Sequence, residues 1–135
     1  MAAGLDHIGF TVADFARSLA FYRAALAPLG LSVVMEVSPE ETGGTAHAGF
    51  GAGFKPFFWI GTGGVPTGHV HVAFAADSRA MVDAFYAAAI AAGARDNGPP
   101  GVRTHYHPNY YGAFVLDPDG HNIEAVCHTP PDKAA

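Results

Sequence analysis

Two histidines in matching surroundings and one glutamate near the C-terminus are the residues of this chain whose types could do chemistry together. His7 opens His7-Ile8-Gly9-Phe10, and His71 opens His71-Val72-Ala73-Phe74, 64 residues later. The same offset lays Ala20-Phe21-Tyr22 on Ala84-Phe85-Tyr86 and Leu26 on Ile90. Alanine matches come cheaply in an alanine-rich chain, but the His, Phe and Phe-Tyr matches do not. A duplicated unit places equivalent residues around a shared axis, so the two imidazoles can converge. Glu124, in the closing strand, is the third candidate. Two neutral imidazoles and a carboxylate would satisfy a divalent transition metal and leave positions open for water or substrate.

Strands must aim these groups. Leu5–Val12 reads as a strand, followed by a helix capped by Asp14 with Phe15, Leu19, Tyr22 and Leu26 on one stripe, stopped at Gly30. Leu31–Val37 reads as a second strand, Ser38–Gly44 as a mobile loop, and Thr45–Phe50 and Phe54–Ile60 as further strands. After the glycine-rich Gly61–Gly68 linker the order restarts. Strand His69–Ala75 leads to a helix capped by Asp77 or Ser78 and ended by Gly93, and a loop through Asn97–Gly101 leads to a short strand near Val102–Tyr106. Last comes the hairpin Tyr111–Leu116 and His121–Cys127 around the turn Asp117–Gly120. The expected fold is α+β: paired βαβββ modules, about 4–61 and 69–128, forming curved mixed sheets with helices outside, in a single domain over residues 1–135. The last seven residues read as a frayed tail. Strand alternation puts His7, Gly9 and Thr11 on one face, and His71, Ala73 and Ala75 on the equivalent face. Small neighbours leave room for a ligand there. With Ile123 and Ala125 toward the helices, Glu124 joins the histidine face.

Composition narrows the function. Half the residues are hydrophobic, 14% are charged and the net charge is −5. No Lys/Arg block offers a stripe for a phosphate backbone, which excludes nucleic acid as partner. No apolar stretch is long enough to cross a bilayer, and the start lacks the pattern of a signal peptide. With Cys127 as the lone cysteine, a cytoplasmic protein is expected, and the thiol reads as a small buried hydrophobe.

The motifs Leu5-Asp6-His7-Ile8-Gly9-Phe10-Thr11-Val12 and Pro118-Asp119-Gly120-His121-Asn122-Ile123-Glu124, with His71, resemble the vicinal oxygen chelate superfamily. This group includes glyoxalase, extradiol dioxygenases, fosfomycin-resistance enzymes and metal-free bleomycin-binding proteins, and the resemblance spans roughly residues 4 to 128. It implies metal ligands at His7, His71 and Glu124. The fourth family position falls in Phe58-Trp59-Ile60, with Glu124 laid over Ile60, and none of these side chains can coordinate. The set therefore looks like the His, His, Glu arrangement of the dioxygenases and fosfomycin-modifying enzymes. The resemblance implies a small-molecule substrate with adjacent oxygens, a divalent ion (Fe, Mn, Zn or Ni), glyoxalase-like lyase or isomerase or extradiol-type dioxygenase chemistry, and a homodimer.

Further candidates complete the expected site. His47 and Tyr111, which the offset superposes, are candidate proton movers. Phe58 and Trp59, with Phe57, would line an apolar cup, and His105, His107 and Tyr110 would wall the cavity. The alternative is a metal-free protein that sequesters an aromatic or planar compound in this cup.

Overall fold

The computed structural model describes residues 3–131, so Met1, Ala2 and the end of the expected tail lie outside the described residues. The first half contains β1 (Ile8–Val12), α1 (Phe15–Leu26), β2 (Ser32–Val37), a short α2 (Pro39–Thr42), β3 (His47–Gly51) and β4 (Phe58–Thr62). The second half repeats the order with β5 (His71–Ala75), α3 (Arg79–Ala91), β6 (Arg95–Val102), β7 (Tyr111–Leu116) and β8 (Asn122–Cys127). Each half makes one four-stranded mixed sheet, β1-β4-β3-β2 and β5-β8-β7-β6. β1 runs parallel to β4, and β5 runs parallel to β8. The two sheets and their helices form an α+β fold of two βαβββ units.

The two long helices, α1 and α3, start where a short polar side chain meets an apolar stripe. The Asp14 carboxylate accepts from the Arg17 backbone N–H at 3.1 Å, and the Ser78 hydroxyl accepts from Met81 at 3.2 Å. α1 buries Phe21, Tyr22, Ala25 and Leu26, and α3 buries Val82, Phe85 and Ala89. Against them lie the inward residues Val12, Phe50, Phe58 and Ile60 of one sheet and Val72, Phe74, Val115 and Ile123 of the other. Each large side chain removed from water in this way stabilises the fold by roughly 1.5–3 kcal/mol before entropy is counted. Phe58 joins the two units, its ring 5.0 Å from Tyr22 and 5.1 Å from Phe74.

Three segments differ from their expected form. Ser38–Gly44 holds the helical turn α2, because Ser38 caps it and Pro39 occupies its first position. Asn97–Gly101, expected as a loop, lies inside β6. That strand is at the edge of its sheet, where proline's missing N–H faces no neighbour, and register shifts at Gly98 and Gly101 absorb the irregularity. The expected short strand near Val102–Tyr106 is instead a turn beyond Val102.

Candidate functional site

The second sheet brings an imidazole and a carboxylate together. Exposure alternates along β5, so Val72 and Phe74 go under α3 while His71, Ala73 and Ala75 face out. Glu124 sits beside Ala73 on one flank and Phe114 on the other, and so shares that open face. His71 Nε2 lies 2.9 Å from Glu124 Oε1, with the imidazole half-exposed and the carboxylate only 1% exposed. The Tyr110 hydroxyl donates to Glu124 Oε2. Burial, and then this bond to the carboxylate, pushes the Tyr110 phenol well above its ordinary value of 10.0, so it remains a neutral donor. Gly112 leaves the needed space, since a Cβ there would stand 3.1 Å from the Tyr110 ring and 3.3 Å from Glu124 Oε2. A hollow of about 450 Å³ opens beside the pair, bordered by Tyr106, His107, Tyr110 and His128.

The first sheet carries a different set on its matching face. His7 precedes β1, and its Nδ1 lies 2.7 Å from Asp6 Oδ2. Lys55 Nζ holds the other oxygen of Asp6 at 3.0 Å. The His7 and Lys55 contacts keep the Asp6 carboxyl below its ordinary range. Gly9 pairs with Trp59, and Gly61 pairs with His47, so His7, Trp59 and His47 share one face. Bare backbone beneath them is required, because a Cβ on Gly49 would meet the Trp59 indole at 2.8 Å and one on Gly61 would meet His47 Nδ1 at 2.5 Å. His47 Nε2 shares a 3.0 Å hydrogen bond with the Thr45 hydroxyl. The resulting open cleft, about 580 Å³, is bordered by Asp6, His7, His47, Lys55 and Trp59.

The expected ligands thus divide between two places. His71 and Glu124 meet, but His7 does not join them, and among the described residues no three such side chains gather closely enough to hold a metal ion. His7 and His71 do border a common apolar hollow of about 360 Å³ between β1 and β5. Other expectations need correction. Tyr111 lies on the opposite face from Glu124, opposite Cys127, with its hydroxyl on Asp83 of α3. Phe58 is fully buried in the core and, with Phe57, borders the apolar hollow between β1 and β5 rather than the open cleft beside Trp59. His105 borders a separate hollow with Asn97 and Arg103, whereas His107 and Tyr110 border the His71–Glu124 hollow.

One miscounted residue explains the reversed face of Tyr111. β7 and β8 are joined by five residues, closed by Asp117 N–H donating to the His121 carbonyl, not by a four-residue turn. This puts Phe114 opposite Glu124 and reverses the face of Tyr111, because a slip of one residue exchanges the two sides of a strand. A separate shift arises earlier: the second unit carries one extra residue before β7, so by the observed pairings Trp59, not Ile60, is the counterpart of Glu124, and Gly112, not Tyr111, is the counterpart of His47. Neither Trp59 nor Gly112 can ligate. The sequence reading overlooked the Asp6 and Lys55 support of His7, the Tyr110 contact to Glu124, and His128. Counting the hairpin from the correct turn would have found the last two, since it places residues 110 and 128 opposite each other beyond Tyr111 and Cys127.

Two βαβββ units, with a histidine at or just before the first strand of each and a glutamate in the last strand of one, define a recognisable class. The chain belongs to the Glyoxalase/Bleomycin resistance protein/Dioxygenase superfamily, whose profile matches residues 4–125. Among solved structures it is similar to a glyoxalase/bleomycin resistance protein from Albidiferax ferrireducens T118, with 32% identity, TM-score 0.73, and coverage of 90% of this chain and 97% of that one. A mutant of the fosfomycin resistance protein FosX from Listeria monocytogenes, complexed with Mn(II) and 1S,2S-dihydroxypropylphosphonic acid, shares the fold. Its identity is 20%, its TM-score 0.68, and the coverage is 96% and 93%. A glyoxalase I mutant from Zea mays shares it at 20% identity and TM-score 0.68, over 90% of this chain and 46% of that one. No match was found among proteins of curated function. No helix among the described residues is long and apolar enough to cross a membrane.

Proposed function

We propose that the protein is a metal-dependent enzyme of the glyoxalase/dioxygenase type, acting on a small organic substrate with two adjacent oxygens. Its site would be completed by two copies of the chain, with His71 and Glu124 from one and His7 from the other. Glu124 carries this reading: a carboxylate 1% exposed, on an otherwise open face, beside an accessible imidazole. Desolvating an acid there is costly unless a cation or strong donors compensate. His7 supplies the complementary feature. Its Nδ1 is engaged by Asp6, which leaves Nε2 as the ligating nitrogen, and histidine ligands commonly donate their other ring N–H to a carboxylate. Two imidazoles and one carboxylate suit Fe, Mn, Zn or Ni.

β1 and β5 end their sheets and flank an apolar hollow, with Leu5 and Ile8 exposed beside it. A twofold contact is self-complementary, so a second copy supplies the same surface and covers both edges. A bound ion supplies Lewis acidity toward the two substrate oxygens. His47 would accept or return a proton at Nδ1, its Nε2 being held by Thr45. Trp59 and the Tyr106, His107 and Tyr110 rings would pack against the organic body of the substrate.

A metal-free binding protein is the second reading, favoured by one observation: His71 and Tyr110 already satisfy both oxygens of Glu124. Mixed dimers separate the two. His7→Ala and Glu124→Ala are each expected to abolish metal binding. A dimer co-purified from one chain of each kind should regain one ion, because its two unmutated contributions meet at a single site. Metal that neither substitution removes, or no metal in the wild type purified without chelators, would favour the binder.

A further inference from the structure

We propose that Tyr110 is a positioning residue that restricts Glu124 to one ligating oxygen. The inference rests on the metal reading above and deepens it. Glu124 Oε1 lies 2.9 Å from His71 Nε2, so these are the two atoms placed to share a cation. Oε2 is the oxygen that the Tyr110 hydroxyl occupies. A cation held between His71 and Oε1 leaves that second bond in place, so the phenol keeps Oε2 from the ion. A carboxylate bound through one oxygen leaves one more position open than a carboxylate bound through two. A substrate that presents two adjacent oxygens needs that position.

Tyr110 is itself well held. Its backbone N–H donates to the His107 carbonyl at 3.1 Å, and its carbonyl accepts from the Arg103 N–H at 2.7 Å. Its ring packs 4.9 Å from Tyr106 and 5.2 Å from His128. Gly112 is the second half of the device. Any side chain there would press on both the phenol and Oε2, at 3.1 and 3.3 Å.

Cobalt(II), titrated into metal-free protein, is the probe, read by its dissociation constant and its visible absorption. Tyr110→Phe should weaken cobalt about 10-fold, the usual effect of removing a ligand's hydrogen-bond partner. It should also lower the visible absorption as Oε2 joins and the coordination number rises. Gly112→Ala, which keeps the phenol but displaces it, should shift both readouts the same way. The double variant should be no worse than the stronger single one, because both act through one contact. Wild-type affinity and spectrum in a Tyr110→Phe protein that melts normally in chelator would overturn the inference alone. So would weakened binding with an unchanged spectrum, which marks a merely structural role. A wild-type protein that binds no cobalt would overturn both this inference and the metal reading.

Discussion

At the scale of single residues, the His7 cluster and the His71–Glu124 pair depend on side chains whose identity the motif does not announce. His7 is aimed by Asp6, and Asp6 is held by Lys55, in a chain of contacts of 2.7 and 3.0 Å exposed to solvent. Exposed ion pairs of this kind add little to stability. Their worth is orientation. Asp6→Ala should leave the urea midpoint of unfolding essentially where it is in wild type, as expected for a surface change. If His7 is a ligand, the same substitution should weaken metal binding roughly 10-fold, measured by competition with a chelator. Because His7 and Lys55 depress the Asp6 carboxyl, its hold on His7 stands above the ordinary value of 3.8 and is lost only as pH falls through the lower folded value. Equal metal affinity in Asp6→Ala and wild type would show that Asp6 does not position a ligand.

Elements set the faces on which those residues appear, and one connection decides most of it. The β7–β8 link is organised by Asp117, whose Oδ1 accepts from the Asp119 and His121 backbone N–H groups, both at 2.9 Å. Its other oxygen accepts from Tyr22. Asp117→Ala should therefore cost roughly 3 kcal/mol or more, since several buried donors lose a charged acceptor together. Urea denaturation would measure it, and a loss below about 1 kcal/mol would show that the turn holds without Asp117. The same link limited what could be read from the chain. Apolar periodicity and the capping residues Asp14 and Ser78 were enough for both helices, the duplicated order and the shared face of His71 and Glu124. Strand parity across the hairpin was not legible, because Asp117-Pro118-Asp119-Gly120 looks like a complete four-residue turn while His121 also belongs to the connection. β6 was hidden for another reason: its two prolines and irregular pairing are tolerated only at a sheet edge, and edge position is a property of the assembled sheet.

For the whole molecule, the telling feature is how the two units are joined. α1 meets the β7–β8 link through the Tyr22 hydroxyl on Asp117, the Ala13 N–H donates to Asp119 Oδ2 at 3.1 Å, and Phe10 lies 4.8 Å from His121. This joint fixes the relation of the units within a chain while His7 and the His71–Glu124 pair remain unjoined, which is why the proposed three-ligand set calls for a second copy. Tyr22→Phe tests the joint. The ring remains and the core stays filled, but the buried Asp117 carboxylate loses a donor, which should cost about 1.5–3 kcal/mol. The pH dependence identifies the phenol. Burial, and then the neighbouring Asp117 charge, pushes the Tyr22 hydroxyl well above its ordinary value of 10.0. Its contribution is then fully present below that ordinary value and is lost as pH rises through the folded one, because the unfolded chain releases the proton first. Urea midpoints followed from about pH 8 to 11 should fall at the alkaline end for wild type, and fall less for Tyr22→Phe. Parallel declines for the two proteins would show that the bond between Tyr22 and Asp117 does not carry the joint.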